Sequence, residues 1–273
     1  MLTRLKEYRV SKPWGRTDVP AAFGQTSDGE PLGEVWFQRK DGDDDALLVK
    51  YLFTSERLSI QVHPDDESAI GAGLKRGKDE AWLVLDAKPD AELGIATRQK
   101  VSGDMLRESA LDGSIVDLLD WRPAEAGDAY YSPAGTIHAI GAGLTLLEVQ
   151  QNTDLTYRLY DYGRPRELHL DQGIDAARTD LSVERSSARP VGEGQRVLVE
   201  GPKFTIEEWA AGDRSLNASN DAPRWLIPLG GSITADGQTL EQPSVWIAEG
   251  HASIHIGENG KLLIAYEGPF AAG

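Results

Sequence analysis

Cysteine is absent from all 273 residues, which excludes disulfides, thiol nucleophiles and thiolate metal ligands and leaves any bound metal with nitrogen and oxygen donors alone. Basic charge is scarce: 28 Lys and Arg stand against 44 Asp and Glu, a formal net charge of -16. No cluster of cations is available to displace counterions from a phosphate backbone, so a nucleic-acid surface is excluded. An anionic substrate would have to be met by cations gathered locally against the field of the whole chain. Long apolar runs are also missing. None approaches the ~20 residues of a membrane-spanning helix, and the opening MLTRLKEYRV contains no apolar stretch of the signal-peptide kind. The chain reads as a soluble cytoplasmic protein.

What is present is punctuation. The 29 glycines and 14 prolines fall between short runs rich in Val, Ile, Leu, Trp and Tyr, such as ALLVKYLF (46–53), EAWLVLD (80–86) and LTLLEVQ (144–150), the pattern of many strands joined by turns. A mainly β sandwich or jelly roll is expected. Helical patterning is expected in two places: after Pro64, where Asp65 or Asp66 can cap a short helix through Leu74, and from Ser102, a cap for DMLRESAL that resumes in SIVDLLDW. The polar stretch 178–195 reads as a linker between a catalytic domain (1–177) and a second β domain without a metal of its own (196–273), whose Trp209, Trp225 and Trp246 are expected to fill its core.

The chemistry is concentrated in three stretches. In LSIQVHPDD (58–66), strand alternation sends Gln61 and His63 to one face and Val62 to the other. In PAGTIH (133–138), a Pro-Gly turn leads into a strand that presents His138; this is a signature of the cupin jelly roll. In GKDEAWLVL, period two puts Lys78, Glu80 and Trp82 on one face. A lone strand histidine is usually a hydrogen-bonded structural residue, but together Gln61, His63, Glu80 and His138 offer two imidazoles, a carboxylate and an amide oxygen, a set suited to zinc or another borderline divalent ion with one position left open. The acidic run DGDDD (41–45) lacks the glycine and glutamate spacing of a calcium loop and reads as a solvated hairpin tip. His251 and His255 read as structural, and His169 has no assigned role.

The stretches LSIQVHPDD, GKDEAW, DGSIVDLLDW, GDAYYSPAGTIHAIGAGLTLLEVQQNTDLTYRLYDYGR and RELHLD, in this order, resemble the short bacterial form of the type I mannose-6-phosphate isomerases, strongly over residues 10 to 175. The resemblance implies a bicupin fold with two jelly-roll barrels, one zinc per subunit, and interconversion of mannose 6-phosphate and fructose 6-phosphate. It implies metal ligands at Gln61, His63, Glu80 and His138, an essential arginine at Arg158, Lys78 in the active site, an acid-base residue at Glu148, and phosphate contacts at Ser59 and Arg164. Glu148 could equally pair with Arg158, and proton transfer and hydride transfer are both compatible with the ligand set. Arg158 and Arg164, six apart, share a face only if the segment stays extended. An iron-dependent cupin oxygenase and a non-catalytic sugar-phosphate binder stand as alternatives.

Overall fold

A computed structural model describes residues 1–26, 28–39 and 44–270; the tip of DGDDD at 41–43 lies outside them. Among the described residues, four antiparallel sheets carry the fold, with strands and helices numbered in chain order. The first sheet has six strands, β2 (Lys6–Arg16), β3 (Leu32–Gln38), β4 (Leu47–Phe53), β11 (Leu144–Gln151), β6 (Glu80–Ala87) and β9 (Ala129–Ser132), in that spatial order. The second has five, β12 (Tyr157–Tyr160), β5 (Ile60–Val62), β10 (His138–Ile140), β7 (Glu92–Thr97) and β8 (Leu119–Pro123). The third has seven, β1 (Leu2–Arg4), β20 (Trp246–Ala248), β17 (Arg224–Gly230), β22 (Lys261–Glu267), β15 (Phe204–Trp209), β14 (Gln195–Glu200) and β13 (Arg189–Gly192). The fourth has β16 (Gly212–Leu216), β21 (Ala252–Ile256), β18 (Ile233–Ala235) and β19 (Gln238–Thr239).

Alternation along single strands shows how these sheets stack. On β4, Val49, Tyr51 and Phe53 enter a core shared with Val199, Phe204, Ile206, Trp225, Ile227, Ile247 and Leu263 of the third sheet. Leu52 turns the other way, into a core with Trp82, Leu93, Ile95 and Ile140 between the first and second sheets. A strand covered on both faces has no solvent side to show, which is why LLVKYLF is buried throughout and reads as an apolar run interrupted only by Lys50. The third and fourth sheets enclose Trp209, Leu226, Trp246, Ile254 and Ile264. The tryptophans of the second half are therefore core residues, as expected, with Trp225 facing the first half.

Helices α2 (Gly103–Asp112), α3 (Ile115–Leu118) and α4 (Leu170–Ala176) cover the outer face of the second sheet, with Leu106, Ala110 and Ile115 against Ile60, Val62 and Leu159. Both expected caps are made: Asp65 accepts from the backbone N–H of Ser68 ahead of α1 (Asp66–Gly71), and Ser102 accepts from that of Met105 ahead of α2. The resumed helix is shorter than SIVDLLDW suggests, because Leu119 already begins β8.

The domain limits read from the sequence meet two crossings. β1 belongs to the third sheet, pairing with β20. Residues 178–195 run along the first barrel, where Val183 is buried and Arg185 bridges to Tyr130, and then form β13. One buried valine and a four-residue edge strand are too small a signal to stand out from a polar stretch. No helix among the described residues is long and apolar enough to cross a membrane.

Candidate metal centre and active-site pocket

Two rows of cross-strand neighbours face each other inside the first barrel. Across the first sheet, register aligns Trp36, Lys50, Glu148, Trp82 and Tyr130 on five adjacent strands. Across the second sheet it aligns Arg158, Gln61 and His138. Residues far apart in the chain thus become side-by-side partners, because opposed positions in an antiparallel ladder lie ~5 Å apart. Glu80 sits at the start of β6 and opposes Gln150. His63 follows β5, held by Gly135, whose N–H donates to the His63 carbonyl at 2.8 Å. Gly135 has φ 86, so the turn of PAGTIH needs glycine there.

The donor atoms of His63, Glu80 and His138 lie within 4.8 Å of one another, and all three residues are buried. Each imidazole is oriented from behind: His63 Nδ1 is 2.9 Å from the Leu155 carbonyl and His138 Nδ1 is 3.0 Å from that of Thr136. A carbonyl accepts only, so both Nδ1 atoms carry the proton and both Nε2 lone pairs point inward. They meet Glu80, whose Oε1 is 3.2 Å from His63 Nε2 and whose Oε2 is 3.4 Å from His138 Nε2. Oε2 has no hydrogen-bond donor. Two lone pairs facing a buried carboxylate with one orphaned oxygen is an arrangement that a divalent cation resolves. The amide nitrogen of Gln61 is 3.3 Å from His138 Nε2, while its oxygen accepts from Ser59 Oγ at 3.1 Å; rotating the amide by half a turn would give the cluster an oxygen donor.

Burial disfavours protonation of both histidines, assisted at His63 by the Lys78 ammonium; His63 falls to about 4 and His138 is also lowered. Burial pushes Glu80 upward, yet the Lys78 ammonium, the largest opposing influence, holds the carboxyl well below its ordinary value. The Lys78 ammonium is 2.9 Å from Glu80 Oε1 and 3.4 Å from His63 Nε2. The residues thus stand in the forms a metal requires: neutral imidazoles and an ionised carboxylate.

Glu148 lies deeper on the first sheet. It accepts from Trp82 Nε1 at 3.1 Å and is 3.3 Å from Lys50 Nζ, so its cationic partner is Lys50 and not Arg158. Burial, then repulsion from Glu80, raises its pKa. Lys50 is buried as well, stacked 4.6 Å over the Trp36 ring and donating to Gln150 Oε1 at 2.6 Å. It was not singled out from the sequence, although a lysine inside ALLVKYLF is the available signal.

Ser59, Gln61, Lys78, Glu80, Glu148 and Arg158 line one pocket of about 80 Å³. Arg158 donates to the Glu167 carbonyl at 2.8 Å, and its buried Nε has no partner. His169 has a role after all: its Nδ1 accepts from the Arg158 N–H at 3.2 Å, and its own N–H donates to the Arg158 carbonyl at 2.8 Å. Arg164 does not join the pocket. Its guanidinium bonds Asp161 and the Arg57 carbonyl, because β12 ends at Tyr160 and the backbone turns through Tyr162 (φ 53) and Gly163 (φ 79). Extended alternation therefore fails, and Arg166, clamped on Asp161 at 2.6 and 2.7 Å, lines the pocket in its place. His251 and His255 lie exposed in the second half, bonded to Ser215 and Asp213.

No family model matches the chain. Mannose-6-phosphate isomerase from Streptococcus mutans is 36% identical over 215 residues, covering 74% of this chain and 67% of that protein. Mannose-6-phosphate isomerase ManA from Bacillus subtilis is 34% identical over 234 residues, covering 76% and 74%. Among solved structures, the mannose 6-phosphate isomerase of Bacillus subtilis superposes with a TM-score of 0.82 at 26% identity over 97% of this chain and 99% of that one. A zinc-bound mannose 6-phosphate isomerase shares the fold at 13% identity, with a TM-score of 0.72 over 98% and 99%. With two relatives above a third identical over most of their length, and the cupin-type fold in common, the chain belongs to the mannose-6-phosphate isomerase family.

Proposed function

We propose that this chain interconverts mannose 6-phosphate and fructose 6-phosphate in the cytoplasm, with one zinc ion held by His63, Glu80 and His138 and by the amide oxygen of Gln61. The observation that carries this reading is the pair of inward Nε2 lone pairs facing a buried glutamate with an orphaned oxygen, at the wall of a pocket that also holds Arg158 and Glu148. When bound, the cation would supply positive charge beside the oxygens of the reacting carbons, where negative charge grows as the proton leaves.

The remaining work belongs to the side chains. A proton must travel between C1 and C2, and Glu148, with its raised proton affinity, is suited to take it and return it through an enediolate-type intermediate. Trp82 and Lys50 fix the carboxylate from two sides. Lys78 adds positive charge next to Glu80. Arg158, whose Nε is unspent, is placed to meet an anionic oxygen. Ser59 and the edge of Arg166 are the candidates for the phosphate end, converting remote binding energy into orientation of the reacting carbons. The oxygenase and pure-binder alternatives are not favoured, since the named relatives are isomerases.

The test is a coupled isomerase assay on wild type and Arg158→Ala, with circular dichroism to show that both fold. Loss of at least ~10²-fold in kcat/KM, of the order seen when a positioned charge donor is removed, is expected; full activity in the folded variant would remove the mechanism.

A further inference from the structure

The second barrel carries its own polar cavity, of about 520 Å³, lined from β13, β14, β15, β16, β17 and β22. That volume lies within the ~300–1,000 Å³ range of small-molecule sites. Its position matches that of the isomerase pocket in the first barrel: the space between two facing sheets, reached from strands whose other face packs in the core shared by both halves. Glu207 and Trp209 on β15 turn into it, while Phe204 and Ile206 on the same strand face the shared core.

The lining is chemically specific. Glu207 is buried, accepting from Trp209 Nε1 at 2.8 Å and from Tyr266 Oη at 2.5 Å. These two donors fix the carboxylate and leave each oxygen a further lone pair. Arg224 Cζ sits over the Tyr266 ring, 4.3 Å from its centroid. Its Nη1 donates to the Ala222 and Pro223 carbonyls at 3.1 and 3.3 Å, and among the described residues no carboxylate lies within ion-pair distance of it. Most arginines of this acidic chain are paired; Arg158, in the isomerase pocket, is another that is not. The side-chain amides of Gln195 and Asn217 also line the cavity and make no hydrogen bond among the described residues.

A guanidinium with its Nε and Nη2 edge free selects an oxyanion. A fixed carboxylate and two unspent amides select hydroxyl groups. We infer that the second barrel binds a small polyhydroxylated anion, a polyol bearing a phosphate or a carboxylate, with Arg224 on the anionic group and Glu207, Gln195 and Asn217 on the hydroxyls.

The experiment is titration calorimetry of the full-length protein with glucose 6-phosphate, gluconate and the neutral polyol sorbitol, on wild type, Arg224→Gln and Asn217→Ala. The first two probes distinguish a phosphate ligand from a carboxylate one. The expected result is a binding component with at least one of the anions, absent with sorbitol, that weakens at least tenfold in Arg224→Gln and severalfold in Asn217→Ala, with kcat and KM of the isomerase within twofold of wild type. Should Arg224→Gln fail to fold, Asn217→Ala, at the exposed rim, carries the test alone. Superimposable isotherms in the folded variants overturn the inference. So does a component that is lost equally in Arg158→Ala, since the binding would then belong to the isomerase pocket.

Discussion

His63 is one of the buried side chains through which acid acts on the metal-free protein. Its pKa falls from 6.5 to about 4 through burial first and Lys78 second. Between those two values the unfolded chain binds a proton at His63 that the folded, metal-free protein does not, so the stability tied to this residue is fully present above pH 6.5 and declines as pH falls toward 4. At 1.36 kcal/mol per unit, His63 accounts for about 3 kcal/mol of that decline. Urea titrations of metal-free wild type and His63→Gln across this range should show a flatter profile in the variant; parallel profiles would contradict the assignment. Glu148→Gln is expected to lower kcat by ~10²–10⁴-fold, and wild type run in heavy water should place deuterium on the substrate carbon. Isomerisation with neither loss nor deuterium would favour hydride transfer. The convergence of His63, Glu80 and Lys78 was legible in the sequence because strand alternation is a local rule that GKDEAW and LSIQVHPDD obey. Arg164 was not, since the turn at Tyr162 and Gly163 breaks that rule between two arginines of similar appearance.

Single strands acquire meaning through their neighbours. Lys50 opposes Glu148 on β11 and Trp36 on β3, and its burial is offset by the carboxylates around it, Glu148 foremost, which raise its pKa. Lys50→Met leaves Glu148 buried without its cation, a change that costs ~3–5 kcal/mol when a buried pair is broken. The loss should be largest at neutral pH and shrink on acidification as Glu148 takes up a proton. An equal deficit at all pH values would show that packing, and not charge, is what Lys50 supplies. The helices divide similarly. Ser102 caps α2 visibly in the sequence, and Ser102→Ala should cost ~1 kcal/mol with activity unchanged. Helix α4 was not foreseen: its N-cap, His169, makes no side-chain cap bond, and Gly173 lowers its propensity. A Cβ at that glycine would stand 2.6 Å from Leu159 Cδ2, so a larger residue there requires the buried leucine to shift.

The whole molecule is held by the core between the first and third sheets, where Tyr51 and Phe53 meet Trp225 and Ile227. Two halves were visible in the sequence as two sets of strands. Their shared core was not, since an apolar run gives no sign of which sheet covers its second face. The second half also reaches the strand that carries the candidate ligand Glu80: Lys203 Nζ is 2.6 Å from Asp66, and the Lys203 backbone N–H donates to Tyr131 Oη, which in turn donates to Asp79, the neighbour of Glu80. A fragment ending at residue 188 would expose the shared core and is expected to aggregate; a soluble, active fragment would refute this. The most direct measurement follows activity while chelated protein is titrated with zinc. Activity should rise linearly and break at one equivalent per chain, with no break and no activity in His138→Ala. Full turnover after complete chelation, or an unchanged one-equivalent break in His138→Ala, would contradict a catalyst built on His63, Glu80 and His138.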